Sequence, residues 1–491
     1  MNEISGKERL GRFVIGDRTL HGALTVAGPN SSLDLHDEKE FDPQAAPDRY
    51  IPGTLNDLTK VSLHGCVTTQ GLGHTSRGEE IYYSARMFPH AVIVGDRHIG
   101  PNEKVVTRVS FEVDDAATLF HDFTAFGCIL DGTALIQRVV EDNEKIIGQK
   151  IKTGPASKIL YFAGTTEIFA TDTVLGRVSA SHNPHLTSFG GPEGVGLTNS
   201  IFVTIEFKDR LTIQESINRI SAPLRFLEIA VGRPQNIVAL SVRSEYGDAS
   251  SSGFRLYWSM APKRENEGLK PHTHDLLLDA IRRSTEFTNV LTNWVARDQE
   301  RFHARMRFAD SFAGQNQYTV DRVIGAANIF DILPASAGPT EVAIATELEN
   351  ATNLSRAAFR ALEPSPERDS VLGALGRIGK ASLKRKIRYR VEMIRKEVAQ
   401  WFPDLPTVTD EAVNCRNYYV HASEARFNYD RHFDAVVFFI DVLEFVFAAS
   451  DFVEAGWNIT DWCGRATLMS HPFSRLRINY ALRLEELKKL L

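Results

Sequence analysis

The chain has 491 residues, of which 43% are hydrophobic, 24% charged and 9% aromatic, and its formal net charge is −6. Such a composition excludes collagenous, intrinsically disordered and disulfide-stapled classes, and the length predicts two or three domains rather than one core. With a negative net charge no global field holds nucleic acid, so any such contact has to come from a local patch.

The N-terminal segment Met1–Arg9 carries charges where a signal peptide places its apolar core, so a cytoplasmic protein is expected. Cys66, Cys128, Cys415 and Cys463 stand far apart, without the CxxC spacing of a zinc knuckle or redox site. Residues 107–113, 201–207 and 254–258 alternate apolar and polar side chains, and β-branched or aromatic runs recur at 60–66, 159–163, 167–171 and 237–243. Short period-2 runs punctuated by Gly, Pro and Asp predict an antiparallel sheet, rolled or sandwiched. One helix interrupts it after Thr212, with Ile213, Ile217, Ile220, Leu224 and Leu227 at helical intervals. The Gly-rich stretch Ser188–Gly196 lacks the closing Gly-Lys-Ser/Thr of a phosphate loop and reads as a loop between strands.

After Pro271 the period becomes helical. Helices are expected over 275–299, 320–333, 340–362, 371–402, 410–422 and 431–454, with another near the C-terminus, separated by Pro-rich breaks at 333–334, 363–366 and 402–406. The run Ala435–Ala449 is the most hydrophobic, yet it is short and contains Asp441 and Glu444, so it predicts a buried helix and no membrane span. The fold class is therefore α+β multidomain: a β-rich N-terminal domain over 1–270, a helical connector over 271–315 and an all-α domain over 316–491.

Within the helical part the sequence reads Cys415-Arg416-Asn417-Tyr418-Tyr419-Val420-His421. Histidine exchanges a proton near neutral pH, and arginine keeps its charge and pairs with phosphate oxygens through a planar fork. On an ideal helix Asn417 and His421 share a face, whereas Arg416 and His421 diverge by about 140°, which favours a site completed by neighbouring surfaces. The spacing alone is weak. A second Arg-x4-His occurs at Arg177/His182 in the β-rich half, and looser pairs stand at Arg297/His303, Arg426/His432 and Arg465/His471. Context raises the first pair above the others. Arg377, Lys380, Lys384, Arg385, Lys386, Arg388, Arg390, Arg395 and Lys396 fall within twenty residues that hold one acid, Glu392, a concentration that attracts phosphate unless it is a solvated helix face. Tyr389, Tyr418 and Tyr419 offer stacking faces for unpaired bases, or packing surfaces. No metal site is expected: His272-Thr273-His274 lacks a third ligand nearby, and neither an HExxH pattern nor a Gly-x-Ser-x-Gly elbow is present.

The Arg416–His421 segment, with Asn directly after the Arg, resembles the signature of HEPN domains. Its place after a basic helix and before the apolar run Phe433–Phe447 fits the same family. The two-part layout resembles the ApeA-like anti-phage proteins, in which a β-rich N-terminal domain precedes a C-terminal HEPN domain. The resemblance implies a metal-independent endoribonuclease without cofactor, in which the RNA's own 2′-OH attacks the adjacent phosphorus. His421 would then be general acid or base, Arg416 would bind the scissile phosphate, and Asn417 would orient either. Lys380, Lys384, Arg385, Arg388, Arg395 and Tyr418 would contact RNA, with tRNA and other structured cellular RNAs among the candidate substrates. The resemblance also implies a homodimer or higher homo-oligomer, a phage-derived trigger and regulation by the N-terminal domain. Some HEPN domains add an acid from an earlier helix, for which Asp321, Asp331, Glu341, Glu347 and Glu349 are candidates. The competing reading is a non-catalytic module for RNA binding or dimerisation.

Overall fold

The computed structural model describes residues 6–69, 71–150, 152–186, 194, 196–246, 250–264, 268–339, 345–376 and 378–491. Most of the Gly-rich stretch 188–196, and Glu341 and Arg377, lie outside the described residues. The chain divides into two compact units: Met1–Glu267 with Leu276–Val295, and Gly268–Asp275 with Ala296–Leu491.

The first unit is built on one antiparallel sheet of fifteen strands. Across it the order runs from Glu167–Thr173 through Gly176–Leu186, Leu197–Leu211, Val106–Val113, Ile237–Tyr246, Ser250–Trp258, Ala91–Gly95, Lys60–His64, Ile51–Leu55, Glu8–Ile15, Arg18–Thr25, Ser32–Asp37 and Glu80–Phe88 to Val67–Thr68. Gly73–Arg77 also pairs with Glu80–Phe88. The alternation expected at 107–113 is present: Val109, Phe111 and Val113 are buried, while Arg108, Ser110 and Glu112 stay half-exposed. A sheet this wide curls, and Phe13, Leu24, Leu35, Ile51, Val61, Met87 and Val94, from successive strands, meet in one core.

Two helices, the single-turn α1 (Ala116–Leu119) and the longer α2 (Thr133–Ile147), precede α3 (Ile213–Val231). The α3 N-terminus is closed by a capping box, in which the Thr212 hydroxyl accepts from the Glu215 N–H and the Glu215 carboxylate accepts from the Thr212 N–H. Its buried stripe, with Ile213, Ile217, Ile220, Leu224 and Leu227, packs on the sheet. α4 (Ser284–Ala296) belongs to the same unit. The connector expected over 271–315 is not one element, because Phe287 packs against Phe120, Phe169 and Phe226 with ring centroids 4.9–6.3 Å apart, and Trp294 against Phe226. That aromatic cluster draws 276–295 into the first unit and leaves the rest of the segment with the second.

The second unit is helical: α5 (Asp298–Ala313), α6 (Val320–Asp331), α7 (Thr346–Arg360), α8 (Pro366–Leu375), α9 (Leu383–Val398), α10 (Leu405–His421), α11 (Phe433–Ala455), α12 (Ile459–Gly464) and α13 (Pro472–Lys488). The helix expected over 371–402 is two. Gly379 adopts φ 87°, which L side chains rarely tolerate, and the Ser382 hydroxyl caps α9 by accepting from the Arg385 N–H. α10 begins five residues earlier than expected, because Pro406 sits in its first turn, where the missing N–H has no helical partner to lose.

α11 is buried almost from end to end and packs against α5, α6, α9, α10 and α13. Beyond the exposed Asp434 of its first turn, its acids fall on one stripe and are each matched. Asp441 accepts from Tyr318 Oη (2.8 Å) and Arg483 (2.7 Å), and Glu444 from both ends of the Arg322 fork (2.9 Å each) and from Ser311 (2.6 Å). Asp451 accepts from Arg301 (2.6 Å) and Arg305 (3.0 Å), and Glu454 from Arg301 (2.7 and 2.8 Å) and Arg390 (2.8 Å). Among the described residues no helix is long and apolar enough to cross a membrane. Burial alone would raise the Asp451 carboxyl's pKa, but the facing Arg305, Arg301 and Arg390 outweigh it and hold it below the ordinary carboxylate range; Glu454 is lowered in the same way by Arg301 and Arg390.

Removing Arg301 takes a shared cation from Asp451 and Glu454 at once, leaving two carboxylates in the bundle with their charge less fully matched. Arg301→Ala should therefore cost about 3–5 kcal/mol in chemical denaturation at neutral pH. The carboxyls are depressed in the folded state, so their contribution is complete above the unfolded value of about 4 and fades as pH falls through the lower folded values. The gap between variant and wild type should narrow on that acid side; a gap that is small at pH 7, or constant down to pH 2, would contradict the assignment.

Candidate active site

α10 turns Leu405, Val408, Thr409, Ala412, Val413 and Cys415 into the bundle. Asp410, Asn414, Asn417 and His421 recur at three- and four-residue steps along its other side. The helix stops abruptly after His421: Ala422 takes the left-handed conformation (φ 50°), and its N–H donates to the Tyr418 carbonyl (3.0 Å). A residue with a Cβ is strained there by about 1–2 kcal/mol, and aromatic packing holds the turn. Tyr418 and Tyr419 lie 5.3 and 6.1 Å from Tyr429, which packs on Phe427, and the Tyr419 hydroxyl donates to Asp430 (3.0 Å). Burial, reinforced by the bond to Asp430, pushes the Tyr419 hydroxyl's pKa up, so it stays a donor. His421 is left exposed at the helix end, with Arg416 and Asn417 half-buried beside it.

The 140° divergence of an ideal helix does not keep Arg416 from His421. The long side chain wraps round, and its Nη1 lies 3.0 Å from His421 Nε2 and donates to Asn417 Oδ1 (3.1 Å). From the other side Asn328 Oδ1 on α6 accepts from Arg416 Nη2 (2.9 Å) and Nε (3.3 Å). The pairing is therefore complete within one chain, and the divergence gives no reason of its own to invoke a second. A guanidinium has no acceptor, so in this contact His421 Nε2 accepts, which leaves the ring proton to Nδ1. All of these partners are neutral; among the described residues no carboxylate pairs with Arg416.

Most of the basic helix is matched differently. Arg390 is fully buried in the α11 cluster, Arg388 forks onto Asp410, Arg395 pairs with Glu392 (3.0 Å), and Lys386 with Asp331 (3.1 Å). Of the side chains expected to hold RNA, Arg388 and Arg395 thus face carboxylates, and Tyr418 is half-buried in the aromatic cluster. Lys384 Nζ instead donates to the neutral Asn414 Oδ1 (2.7 Å). Arg385 lies in the first turn of α9, and Lys380 is exposed just before it. The contacts Arg388–Asp410 and Lys384–Asn414 step in opposite directions along α9 and α10. This antiparallel register brings the α9 N-terminus, the positive end of its dipole, to the His421 end of α10.

Asn328 is the residue that sequence reasoning missed. Its signal was present, since it is the one hydrogen-bonding side chain in the apolar run Val323–Phe330. Of the acids considered for an earlier helix, Asp331 is engaged by Lys386, Asp321 lines a separate cleft with Arg307, Asp310 and Arg322, and Glu347 and Glu349 are exposed in the first turn of α7. The rival Arg177/His182 pair is structural. Arg177 faces Glu167 (2.9 Å), and buried His182 lies between Phe126 and Phe162 and bonds Asn199 (3.0 Å). In the looser pairs, Arg465 is held by Asp461, and His471 is buried as the α13 cap. His272 and His274 pack edge to face, and among the described residues no group of three His, Cys, Asp or Glu is placed to hold a metal ion.

Comparison with known families matches residues 11–294 to the ApeA N-terminal domain 1 and residues 324–461 to the Apea-like HEPN domain. The second match contains α10 with Arg416, Asn417 and His421, and also Asn328. No curated protein and no solved structure matches the chain.

The Arg416 contact fixes the imidazole tautomer, and this is measurable. Nitrogen-15 NMR above pH 8 should find His421 protonated at Nδ1 in the wild type. It should shift toward the Nε2-protonated form of a free imidazole in Arg416→Ala. The same tautomer in both proteins would show that the contact does not govern the ring.

Proposed function

The chain belongs to the ApeA-like family with a C-terminal HEPN domain, and on that premise we propose that it is a metal-independent endoribonuclease of anti-phage defence. The observation that carries this reading is the guanidinium of Arg416, held between Asn328, Asn417 and His421 with no carboxylate among the described residues to neutralise it. A fixed, uncompensated cation beside an exposed imidazole suits a scissile phosphate, whereas the paired arginines of α9 would first have to give up an acid.

The chemistry follows from the same contacts. As a phosphate arrives, the Arg416 Nη1–H turns from His421 to a non-bridging oxygen, and the imidazole Nε2 lone pair is released. It takes the proton of the 2′-OH as O2′ attacks phosphorus, the P–O5′ bond breaks, and a 2′,3′-cyclic phosphate and a 5′-OH remain. Arg416 stabilises the charge that gathers on the phosphorane, and Asn328 and Asn417 keep its plane fixed. The leaving 5′-oxygen needs a proton in return. By family resemblance we assign that donor to the His421 of a second copy in a homodimer. Lys380, Lys384 and Arg385 then guide the flanking backbone. We assign restraint of the nuclease in uninfected cells, and its release by a phage-derived trigger, to the β-rich unit.

Removal of the proton acceptor should slow RNA cleavage by about 10²–10⁴-fold in His421→Ala, with RNA binding kept. Arg416→Ala should lose cleavage and weaken binding as well. EDTA should leave the wild-type rate unchanged. If His421→Ala cleaves at the wild-type rate, the chain is instead an RNA-binding or dimerisation module; a rate abolished by EDTA would point to a metal-dependent nuclease.

A further inference from the structure

Beside the Arg416–His421 pair, on the same side of α10, lies a cleft of about 410 Å³ lined by Lys384, Asn414, Glu424, Ala425 and Arg426. No step of the proposed reaction uses it, and of its lining only Lys384 is assigned to the flanking RNA. Its floor is a polar relay: Lys384 Nζ donates to Asn414 Oδ1 (2.7 Å), Asn414 Nδ2 donates to Glu411 Oε2 (2.9 Å), and Arg426 Nε lies 3.6 Å from the same Glu411 oxygen. Glu411 is buried, so the relay is held from below, while Glu424 and Arg426 stand at the exposed rim.

The geometry points to a base-recognition pocket for the nucleotide next to the cleaved bond, selective for guanine; this rests on the ribonuclease reading. Asn414 and His421 are two helical turns apart on one face, about 10 Å along the axis, so a strand whose phosphate sits on Arg416 passes over the cleft with its neighbouring nucleotide. Two cations and two carboxylates line or underlie the cleft, and their charges balance. That set suits a base better than a second phosphate. Carboxylates accept only, and Lys384 and Arg426 donate only. The matching edge therefore carries two adjacent N–H donors, for the two oxygens of a carboxylate, beside a carbonyl oxygen for Lys384 or Arg426. Guanine offers this set in N1–H, the 2-amino group and O6. Adenine and cytosine present one N–H donor beside a ring-nitrogen acceptor, and uracil presents one N–H between two carbonyls, so none of the three satisfies both oxygens of the carboxylate.

The test uses the full chain and a randomised RNA oligonucleotide pool, with cleavage sites read by sequencing of the product ends. The wild type should favour guanine about tenfold or more at one fixed position flanking the cleaved bond. Glu424→Ala and Lys384→Met should each reduce that preference to about twofold or less. The His421→Ala protein, selected for binding from the same pool, should show the same base enrichment without cleavage. Cleavage with no base preference, or a preference that survives both substitutions, overturns the pocket and leaves the nuclease standing. Enrichment in binding by a wild type that does not cleave keeps the pocket and overturns the nuclease.

Discussion

The helical unit depends on one constraint, the placing of four inward-facing carboxylates on the most apolar helix of the chain. Asp441, Glu444, Asp451 and Glu454 cannot remain ionised inside the bundle unless cations meet them, and Arg301, Arg305, Arg322, Arg390 and Arg483 arrive from α5, α6, α9 and α13. Such pairs add little net stability over a well-packed apolar core, because desolvation offsets the attraction. They do make wrong packings costly, since any shift of register exposes a buried charge to hydrocarbon. The same clamp sets α6 and α9 at fixed positions against α11. Asn328 lies six residues beyond Arg322 on α6, and Lys384 as far from Arg390 on α9. Positioning of the site is thus inherited from ion pairs that take no part in its chemistry.

Against that background the site is distinguished by an absence of pairing. In the rest of the bundle an arginine characteristically finds a carboxylate: Arg388 with Asp410, Arg395 with Glu392, Arg465 with Asp461. Arg416 is held as firmly, by four hydrogen bonds, but only by groups that leave its charge intact. Neutral anchors fix direction without neutralising, which preorganises a phosphate seat. Lys384, bonded to Asn414, repeats the device two residues earlier along α10.

The broad architecture was legible in the residues. Alternation at 107–113 and the Thr212 cap followed by Ile213, Ile217 and Ile220 both depend on local periodicity, which sequence displays directly. Asp441 and Glu444 marked the apolar run as a buried helix, which it is, although their partners lie more than forty residues away in the chain. What stayed hidden was long-range pairing. The charge run at 380–396 looked uniform, yet Arg390 points into the core, Arg388 is matched by Asp410, and only some of the remainder faces outward without an acid. The meeting of Arg416 and His421 was concealed by ideal-helix geometry, which describes Cβ directions and says nothing of where a flexible guanidinium ends. Asn328, 88 residues before Arg416, had no local signal beyond its polarity in an apolar run.

The account rests on an attacking hydroxyl that belongs to the RNA itself. The most direct measurement is mass spectrometry of the products from an oligoribonucleotide and from its twin bearing a single 2′-deoxy sugar at the cleaved position. The account predicts a 2′,3′-cyclic phosphate and a 5′-OH from the first and an intact strand from the second. Cleavage of the deoxy twin at the same bond, or products ending in a 5′-phosphate, would contradict it.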